Sequence, residues 1–127
     1  MRETKKIIEL LGRKWELHKL NPLEGSNLLR KFVRGNNFDP QDFLSQLTDQ
    51  EFVAVQKALL RAVYEIIEKE GQQFPMPVFN GDLLSIEFKS GDEAFVVTAV
   101  ALAFNLQGFF DEGALMEFGK IVKSFGA

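Results

Sequence analysis

The 127-residue chain contains no cysteine. That absence excludes a disulfide framework, a thiolate metal site and a thiol nucleophile together, and it suits a reducing compartment. Histidine is nearly absent as well: His18 is the single one. A catalytic histidine needs a positioned nucleophile or carboxylate partner, and the residues around His18 nominate none; one histidine also cannot build a histidine-rich metal site. Positive charge is in short supply, with 15 lysines and arginines against 18 aspartates and glutamates and a formal net charge of -3. Nucleic-acid binders gather a basic surplus on one face, because neutralising phosphate supplies much of their affinity. Here Lys5-Lys6, Arg13-Lys14 and Arg30-Lys31 with Arg34 are short, interrupted stretches, so no nucleic-acid partner is expected. Long hydrophobic runs are missing too. The longest, residues 94–104 broken by Thr98, falls well short of the roughly 20 residues that span a bilayer. The opening MRETKKIIELLGRKWELHKL has no continuous apolar centre of the signal-peptide kind. The expectation is a soluble protein with no membrane partner. The glycines form neither a phosphate-binding loop nor a dinucleotide fingerprint, and no glycine–serine elbow occurs. Carboxylates are plentiful, but Glu65, Glu68, Glu70, Asp92-Glu93 and Asp111-Glu112 read as solvated positions or helix starts, where negative charge suits the helix dipole. No enzyme, cofactor or metal is expected.

What the chain does contain is apolar bulk, 46% hydrophobic residues including 13 phenylalanines. A chain of this length hides roughly two-thirds of its unfolded surface and folds without a staple. One mainly α domain over 1–127 is predicted, of about five helices with a short N-terminal β-hairpin and at most one further strand. In residues 6–20, Ile8 and Leu10 alternate with polar neighbours, as do Trp15 and Leu17, with Gly12 between them. A hairpin with a tight glycine turn fits that pattern. Ile7, Ile8, Leu11 and Trp15 also share a helical face, but a mid-segment glycine weakens a helix, so the hairpin is favoured.

Asn21-Pro22-Leu23-Glu24 combines an N-cap, a proline at the first helical position and a glutamate three residues after the cap. A helix should run to about Arg34, burying Leu28, Leu29, Phe32 and Val33, and stop at Gly35 and the two asparagines behind it. Asp39-Pro40-Gln41-Asp42 opens a short helix carrying Phe43, Leu44 and Leu47. Thr48-Asp49-Gln50-Glu51 is a capping box for the longest helix, whose apolar face would comprise Phe52, Val55, Leu59, Val63, Ile66 and Ile67 as far as Gly71. Residues 71–91, with Pro75, Pro77 and Asn80-Gly81, read as an irregular loop, although residues 84–88 alternate like a short strand. Asp92 is the expected cap of an apolar helix to about Leu106, and a last amphipathic helix is expected over 111–125.

Several aromatic residues fall outside helical periodicity. Phe74 and Phe79 flank a loop that also holds Met76 and Val78, and Phe109-Phe110 follow Gly108. A buried aromatic is worth about 1.5–3 kcal/mol, so the loop either folds back on the helices or offers an apolar patch to a partner. Phe74, Met76, Val78, Phe79, Phe109 and Phe110 are the candidate partner-binding residues.

Two segments carry a resemblance. Residues 12–24, GRKWELHKLNPLE, resemble the opening of bacteriophage tail assembly chaperones, in which a glycine-turned hairpin ending in a basic–leucine pair leads into the first helix. Residues 101–110, ALAFNLQGFF, are similar to the asparagine, glycine and double-phenylalanine ending that some members carry after their apolar helix. The resemblance implies a protein that binds the long, hydrophobic tape-measure protein in the host bacterial cytoplasm and keeps it soluble. It would give way as tail-tube subunits polymerise, and it would self-associate. Residues 71–91 have no counterpart in that pattern. Other readings are a small phage structural or adaptor protein retained in the particle, a transcriptional regulator, which the acidic pI disfavours, and a ligand binder or enzyme if Asp82, Glu87 and His18 converge in one cleft.

Overall fold

The computed structural model describes residues 5–34 and 40–106, the side chains at 29, 33, 34 and 40 excepted. The described residues start with two antiparallel strands, β1 (Lys5–Leu10) and β2 (Arg13–His18), so the hairpin expected over 6–20 is present. Leu11 and Gly12 both take positive φ, 54° and 81°. That is the two-residue turn whose twist matches the strands it joins, and glycine accepts the second position without strain.

Three helices follow: α1 (Pro22–Arg34), α2 (Pro40–Gln46) and α3 (Asp49–Leu60). The start signals of α1 and α3 work as read. Asn21 Oδ1 accepts the Glu24 N–H at 2.9 Å, and the Glu24 carboxylate reaches back to the Asn21 amide. Thr48 and Glu51 form the reciprocal capping box of α3. Leu28, Phe32, Phe43 and Leu44 are buried, and the Phe32 and Phe43 rings meet 5.3 Å apart to join α1 to α2. The expected stop at 35–37, the cap at 39, and the last helix over 111–125 lie outside the described residues.

The mainly α expectation fails after Leu60. The long helix stops there, and Val63–Lys69 is a strand, β3, pairing antiparallel with β2 on one side and with β4 (Gln72–Pro77) on the other. The fold is mixed α and β: among the described residues, four helices, a four-stranded antiparallel sheet in the order β1-β2-β3-β4, and a two-stranded sheet of β5 (Phe79–Asn80) and β6 (Leu83–Leu84). Val63, Ile66 and Ile67 satisfy a helical face, yet VYEII is β-branched and aromatic and fits a pleated surface. The strand register sends Val63, Glu65 and Ile67 to one face together. Glu70-Gly71, read as a helix stop, is a second turn with positive φ at both residues, 54° and 78°. Within the loop expected over 71–91, three segments are thus strands, β4, β5 and β6; of the alternating stretch 84–88, only Leu84 is in a strand. Pro75 and Pro77 are tolerated because β4 is an edge strand.

The last described helix, α4 (Gly91–Asn105), is capped by Ser90 and not by Asp92. Val96, Val97, Ala99, Ala101, Leu102 and Phe104 cover most of its circumference and are buried; a helix apolar all round belongs inside a core. Of its two buried polar groups, Glu93 and Thr98, Thr98 donates to the Ala94 carbonyl at 2.7 Å and accepts from Gln56 of α3 at 3.2 Å, while Phe52 stacks on Phe95. Trp15, Leu17 and Val63 bring the inner face of the sheet into the same core.

The turn analysis generates a stability contrast. A Cβ at Gly71 meets nothing within 4 Å, so its cost is that of the backbone alone. Gly71→Val should cost about 1–3 kcal/mol in urea denaturation. Gly91→Ala, with open space and no positive φ, should be neutral or stabilising by up to about 1 kcal/mol. Equal losses at both positions would contradict the turn assignment.

Candidate protein-binding surface

One ionic cluster positions the elements that carry the surface. At the start of β2, Arg13 Nε and Nη2 donate to the two carboxylate oxygens of Glu65 on β3, at 2.8 and 2.7 Å. Its Nη1 donates to Glu93 Oε1 in the first turn of α4 at 2.6 Å and to the Glu87 carbonyl at 3.0 Å. The guanidinium lies over the Trp15 ring, which stacks on Phe88. Glu93, only 2% exposed, also accepts the Lys89 N–H at 2.8 Å. The Glu65 hydrogen bond leads, burial opposes, and the Coulombic pull of both carboxylates adds; the net effect raises the Arg13 pKa above its ordinary value. A cationic group raised in the folded state stabilises below its unfolded pKa, so this contribution is constant across the working pH range. At the other end of β2, the Lys19 ammonium donates to the Phe104 carbonyl and Leu20 N–H donates to Asn105 Oδ1 at 2.8 Å. The helix α4 is therefore tied to β2 at both ends and runs in the same direction. Extended, Arg13 to Lys19 spans about 20 Å; helical, Glu93 to Phe104 spans about 17 Å.

On this frame the candidate residues take different places. Val78 is fully buried and belongs to the core, not to a surface. Phe79 is half-buried and packs on the core, paired across the small hairpin with Leu84. Met76 is half-buried opposite Glu65, and Phe74, on β4 opposite Ile67, is 37% exposed. Phe109 and Phe110 lie outside the described residues. Two residues not singled out as contacts are the more open ones: Leu83 is 76% and Leu84 50% exposed on the β5–β6 hairpin. The signal for them was present, since a glycine turn between Phe79-Asn80 and Leu83-Leu84 is a hairpin pattern. On the outer face of the large sheet, Ile7, Ile66 and Pro75 floor a groove of about 460 Å3 with Glu9, Lys14 and Glu16 beside them.

Asp82, Glu87 and His18 do not form one cluster. Asp82 pairs with Arg61 at the surface, the Glu87 carbonyl serves Arg13, and His18 Nε2 lies 3.0 Å from Glu16 Oε1 with its ring edge-on to Tyr64. Among the described residues no group of three or more acidic or histidine side chains is placed to hold a metal ion.

Removing one member of a buried ion pair leaves its partner uncompensated, which costs about 3–5 kcal/mol. Arg13→Met should lose that much in urea denaturation, and adding Glu93→Met should recover part of it. A loss below about 1 kcal/mol, the scale of an exposed pair, would show that the cluster does not hold α4 to the sheet.

Comparison with known proteins adds the identity. Residues 41–117, more than half of the chain, match the family model described as phage tail assembly chaperone protein, TAC. The match takes in α2 from its second residue, α3, β3, β4, the small hairpin and α4, and the resembling segment at 101–110; the segment at 12–24 lies outside it. No curated protein and no solved structure gives a significant match. The chain belongs to the phage tail assembly chaperone family.

Proposed function

We propose that this tail assembly chaperone binds the tape-measure protein through the exposed apolar side chains of residues 72–84. It keeps that protein soluble in the host bacterial cytoplasm, works as a self-associating chain, and gives way as tail-tube subunits polymerise. Membership of the family supports a non-enzymatic role in tail assembly and interaction with tail proteins in general. The observation that carries the finer reading is the exposure of Leu83 and Leu84 on a hairpin whose base is fixed by the buried Val78. The Ser85 N–H donates to the Val78 carbonyl at 2.8 Å and the Ser85 hydroxyl to the Pro77 carbonyl, so the leucines stand on an anchored support. Covering one exposed leucine yields about 1.5–3 kcal/mol. A few such contacts bind weakly enough to be displaced when tube subunits compete, and repetition along a long partner supplies the avidity. Phe79 pairs with Leu84 on the same hairpin, Phe74 and Met76 stand on β4 leading to it, and Phe109 and Phe110 remain candidate contacts from sequence alone.

Co-expression with a phage tape-measure protein tests this reading. The wild-type chain should raise the soluble fraction of that protein. Combining Phe74→Ser, Leu83→Ser and Leu84→Ser should return it to the level without chaperone while Tm changes by only a few degrees, because all three side chains are exposed. Val78→Ser should instead lower Tm strongly through lost core packing. A wild-type chain without effect, or a triple variant as active as wild type, contradicts the proposal.

A further inference from the structure

The two edges of the large sheet differ in what they offer another strand. In an antiparallel ladder, hydrogen-bonded and non-bonded residue pairs alternate. The two-residue turn at Leu11-Gly12 makes Leu10 and Arg13 the bonded closing pair, and alternation then gives Ile8–Trp15 and Lys6–Leu17 the same status. The N–H and C=O groups of Lys5, Ile7 and Glu9 therefore point away from β2, toward the free edge. The other side of β2 agrees: His18, bonded outward from β1, donates its N–H to the Ala62 carbonyl at 2.9 Å. The same counting from the Glu70-Gly71 turn directs Gln72, Phe74 and Met76 toward β3, and the Val78 N–H reaches the Val63 carbonyl at 3.0 Å as that pattern requires. The outward positions of β4 are then Gln73, Pro75 and Pro77. Two of these three have no N–H to give, so the β4 edge is closed to strand addition. The β1 edge keeps every donor, and among the described residues no strand pairs with it.

We infer that the β1 edge is where a second copy of this chain docks, β1 antiparallel to β1 about a two-fold axis centred on Ile7. The residues themselves select this register. Opposite positions in an antiparallel pair share a face, so a symmetric pairing must centre on a residue. Centring on Ile7 sets Ile7 against Ile7 and Lys5 against Glu9 of the second copy, twice, and every facing pair of these three residues has its backbone groups directed across the junction. Centring on Lys6 would set Lys6 against Lys6, and like charges directly opposite are destabilising. Centring on Ile8 would set Ile7 against Glu9 and carry Lys5 beyond the strand. Ile7, 60% exposed in a single copy, gains a partner of its own kind. Lys5 lies 3.9 Å from Glu16 in its own copy, an exposed contact of little strength that re-pairing gives up readily. The junction joins two four-stranded sheets into one continuous sheet and leaves the β5–β6 hairpin of each copy uncovered.

This inference rests on the self-association in the proposed function and makes no use of the tape-measure contact. Sedimentation velocity of the full chain over a wide concentration range tests it. Wild type should shift reversibly from the mass of one chain to that of two. Glu9→Lys, which sets a like charge against Lys5 of the second copy, should abolish the shift, and Lys5→Glu combined with Glu9→Lys should restore it; unchanged circular dichroism and Tm establish that each variant is folded. Wild type remaining monomeric at every concentration overturns both the inference and the self-association. Undiminished association of folded Glu9→Lys overturns the β1 register and leaves self-association standing. A double variant that folds but stays monomeric also overturns the register. Tape-measure solubilisation is read separately and is unaffected by which of these results appears.

Discussion

The arrangement hangs on one guanidinium. Arg13 reaches Glu65 diagonally across the β2–β3 ladder and Glu93 in the first turn of α4, so a single side chain sets the position of the hairpin, the centre of the sheet and the buried helix. Burying Glu93 would be prohibitive alone; with Arg13, the Lys89 N–H and the helix N-terminus around it, the carboxylate becomes a fixed point. Lys19 and Asn105 complete the tie at the opposite end of β2. With α4 held along β2, its apolar circumference fills the space between the sheet and the helices α2 and α3. Beyond β3, Val78 and Phe79 pack into this core, whereas Phe74, Leu83 and Leu84 are left outside it.

That division explains which aromatic and aliphatic residues are spent on folding. Val78, Phe104 and Trp15 are interior, whereas Phe74, Leu83 and Leu84 stand on β4 and the small hairpin at the periphery. Family membership places the chain in tail assembly, and an assembly chaperone needs contacts firm enough to shield a partner and weak enough to release it. In the role proposed above, a short hairpin presenting two leucines from an anchored base would meet both demands without moving any part of the core. The prolines of β4 close one sheet edge near that hairpin, while the other edge, at β1, is unpaired among the described residues.

Local signals in the sequence were readable where the local chemistry decides the structure. Gly12 with its alternating flanks marked the first hairpin; Asn21-Pro22 and the Thr48–Glu51 box marked helix starts; the apolar run at 94–104 marked a buried helix. The reading failed where a partner far along the chain decides. Val63, Ile66 and Ile67 satisfy both periods, and the choice of strand is made by Glu65 meeting Arg13 and by β4 pairing on the other side. Pro75 and Pro77 look like loop residues until their outward positions on an edge strand are known. The Arg13–Glu93 contact joins residues 80 apart in sequence, with no local pattern to announce it. For the candidate site, Phe74 and the segment around it were legible as apolar surplus. Which members face outward was not, because Val78 is claimed by the core and Leu83 and Leu84 are turned out by a hairpin too short to show a period.

The central claim is that the apolar side chains of residues 72–84 contact a tail protein while the clamped core stays as it is. Hydrogen–deuterium exchange of the chain alone and in complex with a tape-measure protein tests it most directly. The account predicts new protection concentrated in β4, β5 and β6, with α4 amides slow to exchange in both states. Binding that leaves residues 72–84 exchanging at their free rate, or that releases α4 amides, would contradict it.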